Sequence, residues 1–244
     1  MDVCITYWYH SCFTLESDKK VMLFDYPGRG IDDPLDEKIG SMVKGSELYV
    51  FVSHSHGDHF SPDVAKFSSE AEKAHFILAD DVPVKRMVDK IYSLSSDVSF
   101  TEVKPDESHR IDDLKVRTWK SNDAGVAFLI YSGGKKIYFA GDLAKWNWPE
   151  WGEQKVKEHV EVFDDVVEGL EQEEIDIAFS NMDERLPSWA GPIEFIERVK
   201  PKYFIPMHTF GNESWIDDLI GSEIKADSEI FHYEKSGDRF FCDI

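Results

Sequence analysis

The sequence predicts an α/β fold, namely a four-layer αββα sandwich in which helices cover two β-sheets. Segments rich in β-branched and aromatic residues fall into two groups, one at the start of the chain and one over residues 99–140. Segments with the apolar spacing of helices separate and follow these groups, which indicates two sheets with helices outside them. Because we find no internal repeat and no linker, we expect a single domain over residues 1–244.

The first part of the chain contains a run of short strands. We expect strands at residues 3–8, 12–16, 21–24, 48–52 and 75–78. The run 48–52 is continuously apolar, which is typical of a strand buried on both faces. A Gly/Pro/Asp-rich loop is expected from residue 26 to about residue 36. Ser61 and Pro62 predict the start of a helix that continues to about residue 74, and another helix is expected over residues 83–92.

The rest of the chain predicts a second group of strands and then alternating helices and strands. The apolar residues from Val156 to Leu170 recur with helical spacing opposite an acidic face, so a helix is expected over residues 155–174. Strands are expected at residues 101–103, 114–119, 126–131, 136–140, 175–179 and 203–205, and twice near the C-terminus. A hairpin turn at 132–135 and helices at 191–200 and 214–220 complete the prediction.

Composition and charge exclude several classes of function. The formal net charge is -21 and no run of Lys or Arg exceeds two residues, which disfavours binding to nucleic acid. No stretch approaches the roughly 18 apolar residues of a membrane span, and the N-terminus lacks the features of a signal peptide. The three cysteines form no CxxC pair, which favours a reduced, cytoplasmic setting. We therefore expect a small molecule as the partner, neither nucleic acid nor membrane, and leave the oligomeric state open.

A cluster of potential metal ligands follows the apolar run 48–52 directly. His54, His56, Asp58 and His59 lie within six residues, and Gly57 allows the backbone to turn between the two pairs. Imidazole nitrogens and carboxylates are suitable ligands for zinc and similar divalent metals. These four side chains could not all face an apolar core without a large desolvation cost. The cluster therefore indicates a metal site.

This pattern, HxHxDH after an apolar strand, resembles the signature of the metallo-β-lactamase superfamily. Gly141-Asp142 after the strand 136–140 looks like the Gly-Asp turn of that family, and His208 looks like its last histidine ligand. Residues 5–13 resemble the start of its small bacterial branch, which includes ascorbate-6-phosphate lactonase-like proteins. The resemblance covers nearly the whole chain and implies the αββα fold.

The resemblance also implies two divalent metal ions, zinc in the first place and manganese or iron as alternatives. The first metal would be held by His54 and His56, and the second by Asp58, His59 and His208, while Asp142 would bridge the two.

One expected ligand of the first metal is missing. The family supplies a third histidine some twenty residues before the Gly-Asp turn, but residues 119–126 contain none. Asp123 is the best substitute because a carboxylate can bind the same metal, and Ser121 and Asn122 are weaker candidates. A carboxylate would make this site harder and would favour manganese or iron. The alternative is that Asp123 only shapes a turn.

Three residues are candidates for contact with a substrate. The resemblance places His10 near the pocket, although a structural hydrogen bond is an equal alternative. Trp146 begins a set of three tryptophans, with Trp148 and Trp151, that follows the Gly-Asp turn and either lines a pocket or packs the loop. Arg185 could pair with an anionic substrate group, or it could neutralise a neighbouring acidic residue.

The function implied by the resemblance is metal-dependent hydrolysis. A metal-bound hydroxide would act on a small-molecule ester, lactone, amide or phosphodiester, with Asp58 and Asp142 as catalytic residues. A metal-binding or ligand-sensing domain with reduced or no catalysis is an alternative, which the missing histidine keeps open. A nuclease of the same superfamily is a second alternative, which the acidic charge disfavours.

Overall fold

The structure, a computed structural model, describes residues 2–28, 33–85, 88 and 97–244. It divides into two compact units, the first formed by Met1–Val103 with Tyr233–Ile244 and the second by Lys104–His232. Each unit contains one seven-stranded mixed sheet. The single domain expected over residues 1–244 stays a prediction.

The sheet of the first unit has the strand order β14-β1-β2-β3-β4-β5-β6. Its strands are β1 (Asp2–Tyr9), β2 (Cys12–Ser17), β3 (Lys20–Phe24), β4 (Glu47–Val52), β5 (Lys73–Ala79), β6 (Val98–Val103) and β14 (Arg239–Asp243). The strands from β14 to β3 are antiparallel to their neighbours, and those from β3 to β6 are parallel. All five predicted strands of this part of the chain are present.

The parallel strands of this sheet bring distant residues to one edge. All residues of β4 after Glu47 are buried, as the apolar run predicts. Phe24 at the end of β3 lies opposite Phe51 near the end of β4. The segments that leave these two strands, beginning at Asp25 and Ser53, therefore start side by side.

The helices of the first unit differ from the prediction. The segment 33–36 was expected to be loop, but helix α1 (Asp33–Val43) includes it and buries Ile39 and Val43 one turn apart. Ser61 caps a 3₁₀ helix (Pro62–Ser69) through a bond from the Asp63 backbone N–H, so the predicted start is confirmed. The predicted continuation to residue 74 is wrong, because β5 already begins at Lys73 and pairs with β4. The helix expected at 83–92 lies largely outside the described residues.

The sheet of the second unit has the strand order β13-β12-β11-β10-β9-β8-β7. Its strands are β7 (Ser108–Ile111), β8 (Leu114–Lys120), β9 (Val126–Ser132), β10 (Lys135–Phe139), β11 (Ile177–Asn181), β12 (Tyr203–Met207) and β13 (Glu229–Ile230). The strands β7 to β10 form an antiparallel meander, in which β7 was not predicted, and β10 to β13 are parallel. The expected hairpin at 132–135 joins β9 to β10.

Three helices belong to the second unit. They are α2 (Glu153–Glu171), α3 (Pro192–Val199) and α4 (Trp215–Gly221). The face of α2 that contains Phe163, Val166, Val167 and Leu170 is buried, as the spacing predicts. Among the described residues, no helix is long and apolar enough to cross a lipid bilayer.

The parallel strands β10, β11 and β12 end at the same edge of the second sheet. Asp142, Asp183 and His208 follow these three strands within a few residues. The carboxyl ends of parallel strands are where ligands bind in open α/β sheets. This edge therefore contains the functional candidates of the second unit.

Candidate metal centre

The histidine motif forms a tight turn just after β4. The ring of His54 lies 4.6 Å from that of His56 and 4.2 Å from that of His59, measured between ring centroids. The backbone N–H groups of His59 and Phe60 donate to the carbonyl of His56, at 3.0 and 2.9 Å, and so close the turn. His54 and His59 are fully buried, whereas His56 is exposed. The structure thus brings together the three histidines that the sequence singled out.

A buried carboxylate, Asp25, anchors this turn. Its Oδ1 accepts the backbone N–H of Ser53 at 2.7 Å. Its Oδ2 accepts the Ser53 hydroxyl at 2.6 Å and lies 2.7 Å from Nδ1 of His59. The Ser53 hydroxyl in turn lies 2.9 Å from Nδ1 of His54. Asp25 therefore holds one histidine directly and the other through Ser53.

These contacts determine which ring nitrogens carry hydrogen. Because a carboxylate only accepts hydrogen bonds, Nδ1 of His59 donates to Asp25. The hydrogen of the Ser53 hydroxyl also goes to Asp25, so the hydroxyl oxygen accepts from Nδ1 of His54. Both rings are then the tautomer in which Nε2 offers its lone pair, the arrangement found around metal-binding histidines. Sequence reasoning did not identify Asp25, although its position directly after β3 was a usable signal.

His10 lies in the same unit beside two predicted ligands. It is fully buried and adopts a left-handed backbone conformation (φ 56°) between β1 and β2. Its Nε2 is 3.8 Å from Oδ2 of Asp58, and its ring meets the His59 ring edge-on at 5.1 Å. The structure therefore places His10 next to Asp58 and His59, while its contact with a substrate stays a prediction.

The Gly-Asp turn of the second unit is fixed by two side chains. The Asn181 amide donates to the carbonyls of Gly141 and Leu143, at 2.8 and 3.0 Å. The indole N–H of Trp146 donates to the carbonyl of Asp142 at 2.8 Å. Gly141 has a positive φ of 53°, which glycine adopts without strain. Trp146 is thus a buried support of Asp142, and its predicted contact with a substrate stays a prediction.

His208 lies between two carboxylates. Its Nε2 is 3.9 Å from Oδ1 of Asp142, and its Nδ1 is 3.6 Å from Oδ2 of the fully buried Asp183. The Asp183 carboxylate thus lies on the Nδ1 side of the ring but beyond hydrogen-bond distance, whereas Asp25 is within hydrogen-bond distance of Nδ1 of His59. Sequence reasoning did not predict Asp183 beside His208.

The loop that lacks the expected histidine contains two polar side chains with different roles. The Asn122 amide donates to the carbonyls of Ala144 and His159, at 2.6 and 2.7 Å, and its oxygen accepts the Ala144 N–H at 3.2 Å. Asn122 is therefore a structural anchor. The exposed side chain of Asp123 has a carboxylate oxygen within 4.8 Å of one from Asp142. Asp123 thus stands beside the predicted bridging ligand of its own unit.

Arg185 pairs with a neighbouring acidic residue, which is one of the two roles predicted for it from the sequence. Its Nε and Nη2 donate to the two carboxylate oxygens of Asp183 at 2.8 and 2.5 Å, and this hydrogen bonding raises the pKa of the guanidinium. The guanidinium carbon also lies 5.2 Å from the ring centre of Trp148 and 5.1 Å from that of Phe210. The contact of Arg185 with a substrate stays a prediction.

The four histidines that the sequence did not assign to the site contact side chains of their own unit. Burial lowers the pKa of His159, whose ring lies 4.6 Å from that of Trp151. The remaining three contact polar side chains of their own unit: His75 contacts Ser99, His109 contacts Glu107 and His232 contacts Asp217.

Comparison with known families decides the assignment. The profile of the family described as the beta-lactamase superfamily domain matches residues 47–209, more than half of the chain. The chain belongs to the beta-lactamase superfamily. The match includes the histidine motif, Asp142 and His208. The superfamily and the α/β fold class predicted from the sequence are confirmed.

Solved structures support the same fold. The metallo hydrolase Igni18 from the archaeon Ignicoccus hospitalis matches with a TM-score of 0.69 at 15% identity, over 100% of both chains. The metallo-β-lactamase fold protein YhfI from Bacillus subtilis matches with a TM-score of 0.62 at 12% identity, over 98% of this chain and 99% of that one. Zinc-bound PqqB from Methylobacterium extorquens matches with a TM-score of 0.59 at 9% identity, over 98% and 99%. None of the curated proteins compared matches the chain.

Proposed function

We propose that this member of the beta-lactamase superfamily is a metal-dependent hydrolase of small molecules, with an ester, lactone, amide or phosphodiester as the bond cleaved. The observation that carries the proposal is the orientation of the histidines by buried carboxylates. Asp25 orients His54 and His59 in the first unit, and Asp183 lies against Nδ1 of His208 in the second. A histidine whose Nδ1 faces a carboxylate or hydroxyl has its Nε2 prepared for a metal.

The donor set fits divalent metals. We propose the ligands that the superfamily motif implies, with Asp123 in the place of the missing histidine. These are His54, His56 and Asp123 for one metal, Asp58, His59 and His208 for the other, and Asp142 as the bridge. Such metals, when bound, polarise a substrate oxygen and lower the pKa of water to roughly 7.

Metal identity depends on the softness of the ligands. Zinc is the first expectation because imidazole ligands suit it, and PqqB, which has the same fold, is zinc-bound. A carboxylate at position 123 adds a hard oxygen ligand, which moves the preference of that site toward manganese or iron.

The residues of the chain have separate tasks in this proposal. Asp58 and Asp142 are the catalytic carboxylates, and His10 stands 3.8 Å from Asp58, close enough to orient it after a small movement. Asn181 and Trp146 hold the backbone around Asp142, so its carboxylate is presented from a fixed turn. Fixed acceptors and donors stabilise developing charge without reorganisation during the reaction.

We also propose a small molecule as the substrate and a cytoplasmic location. The net charge of -21 opposes a polyanionic partner such as nucleic acid. Cys4, Cys12 and Cys242 are buried and form no disulfide within the described part of the chain, which suits a reducing compartment. The oligomeric state is left open.

Elemental analysis combined with a hydrolysis panel tests the proposal. Protein purified without added metal should contain at least about half an equivalent of a transition metal, and it should cleave a 4-nitrophenyl ester or bis(4-nitrophenyl) phosphate. His56→Ala and Asp142→Ala should abolish turnover. His109→Ala, a histidine change outside the motif, should leave it unchanged. Protein without metal, or undiminished turnover in the two motif variants, would refute the assignment.

The missing third histidine supports a second candidate, a metal-binding domain with reduced or no catalysis. Replacement of Asp123 separates the candidates. If Asp123 is a ligand, Asp123→Ala should lower metal content and turnover, and Asp123→His should restore metal content with a stronger preference for zinc. Wild-type protein that contains metal but cleaves nothing in the panel would favour the second candidate.

A further inference from the structure

The second unit contains a cavity of about 220 Å³ whose lining includes three of the predicted metal ligands. They are Asp123, Asp142 and His208. Trp148, Trp151 and Phe210 contribute the aromatic walls, and Arg185 completes them. Ligand pockets that enclose a whole drug-sized molecule measure roughly 300–1,000 Å³, so this cavity has room for one ring of a substrate.

The aromatic walls are held in place and keep part of their surface exposed, with the Arg185 guanidinium over the rings of Trp148 and Phe210. Trp146 is buried and fixed by its bond to Asp142, and the ring of Trp148 stacks on it at 6.3 Å with an interplanar angle of 11°. The ring of Phe210 stands edge-on to His208 at 4.6 Å and is 36% exposed. Trp148 is only partly buried. Flat apolar faces that are fixed beside predicted metal ligands form a preorganised surface for another flat ring.

Arg185 contributes a positive charge to the lining of this cavity, and its guanidinium is held in place as the aromatic rings are. Asp183 is fully buried and binds the Nε and Nη2 edge of the guanidinium, so the plane of the group is fixed. Nη1 makes no hydrogen bond to the described part of the chain, and the side chain is 51% exposed. The N–H groups of Nη1 are therefore the donors available to an anionic oxygen.

We propose that this cavity, lined by Trp148, Phe210 and Arg185, is a substrate subsite that binds an aromatic ring bearing a carboxylate or a similar acidic group. The inference rests on the proposed hydrolase function, because the cavity matters for turnover only if Asp142 and His208 serve the reaction. The ring packs against the exposed parts of the Trp148 and Phe210 rings beside the guanidinium, and the acidic group accepts from Nη1 of Arg185. The subsite selects aromatic acids over aliphatic acids and over uncharged aromatic compounds.

Three small probes test the subsite without any turnover. Benzoate, cyclohexanecarboxylate and benzamide are titrated into the purified protein, and their dissociation constants are measured by ligand-detected NMR. The two carboxylates coordinate a metal in the same way, so a difference between them reports on ring flatness. We expect benzoate to bind about three- to tenfold more tightly than cyclohexanecarboxylate. Equal affinity would overturn the proposal.

Two variants connect this preference to the proposed residues. Trp148→Leu should remove the advantage of benzoate over cyclohexanecarboxylate, whereas Trp148→Phe, which keeps a flat ring, should retain most of it. Arg185→Gln should lower the preference for benzoate over benzamide about fivefold or more, which corresponds to the loss of one charge-assisted hydrogen bond. Any contribution from a metal cancels in these comparisons of variant with wild type.

Matched controls are available outside the cavity. Trp215→Leu and Arg110→Gln change the same residue types at partly buried and exposed positions, and should leave all three dissociation constants unchanged. Thermal unfolding verifies that each variant is folded. Unchanged selectivity in Trp148→Leu and Arg185→Gln would refute the subsite. Probe binding without any hydrolysis would instead refute only the hydrolase, so the two failures are distinguishable.

Discussion

Replacement of Asp25 by asparagine is the sharpest test of how the histidine motif is organised. The substitution keeps the shape of the side chain but turns one acceptor oxygen into an NH₂ donor. In the structure both oxygens accept, from the backbone N–H of Ser53, from its hydroxyl and from Nδ1 of His59. An amide group in this place points a donor either at the backbone N–H of Ser53 or at Nδ1 of His59, and Nδ1 can accept it only if the imidazole takes the other tautomer and gives up the lone pair on Nε2. All the groups involved are fully buried.

The magnitude follows from these contacts. A hydrogen bond to a charged group contributes about 1.5–3 kcal/mol, and Asp25→Asn disrupts at least one of the three that Asp25 accepts. For a protein of this size, 1 kcal/mol corresponds to roughly 2–4 °C in melting temperature, so the substitution should lower it by roughly 3–12 °C. Loss of a carboxylate behind a metal-binding histidine also weakens metal affinity by about 10- to 100-fold.

Thermal unfolding and metal content measure the two effects together. Asp80→Asn, an exposed aspartate in the same unit, is the matched control and should change neither. If Asp25→Asn melted at the wild-type temperature and retained its metals in the presence of a competing chelator, the inferred orientation of His54 and His59 would be wrong.

Four further predictions test neighbouring features. Ser53→Ala should weaken metal binding by about tenfold in a chelator competition, less than Asp25→Asn, because it removes the hydroxyl that links His54 to Asp25 but leaves the contact of Asp25 with His59 in place. Asn122→Ala removes three hydrogen bonds and should lower the free energy of urea unfolding by about 2–4 kcal/mol; an unchanged value would contradict its role as an anchor. Removal of metal with EDTA should lower the melting temperature, and added zinc or manganese should restore it, since ligands that bind the folded state stabilise it. Burial raises the pKa of the Cys12 thiol. Its contribution to the free energy of unfolding should therefore be fully present below the ordinary thiol pKa of about 8.5 and should decrease as the pH rises above that value. In Cys12→Ala that alkaline decline should be smaller.

The strands and the metal motif were predictable because their signals are local. The apolar run of β4 and the histidines after it are adjacent in sequence, and burial of that run is what the structure shows. The helix α1 was missed because Asp33 and Pro34 were interpreted as part of a loop, although Pro is favoured in the first turn of a helix. The helix after Ser61 was predicted too long because pairing of Lys73 with Glu47 in the sheet overrides local helix preference.

The residues that orient the histidines were harder to predict, because their proximity depends on strand pairing. Asp25 is 28 residues from Ser53 and 34 residues from His59, and only the parallel register of β3 and β4 brings them together. The same holds for Asp183 and His208, which follow the neighbouring parallel strands β11 and β12. A sequence-based search could find such residues if it paired the first polar residues after consecutive parallel strands.

The loop without a histidine shows how a family pattern can be modified by one anchoring residue. The side chain of Asn122 makes two donor contacts and one acceptor contact at once, all to backbone atoms of Ala144 and His159. A neutral imidazole has one donor and one acceptor, so histidine at position 122 could not reproduce them. The Ser121 hydroxyl accepts the backbone N–H of Asp123 and so supports the turn itself. Asp123 has a carboxylate oxygen within 4.8 Å of one from Asp142, which is the physical basis for expecting an oxygen ligand, and a preference for harder metals, where the family has an imidazole.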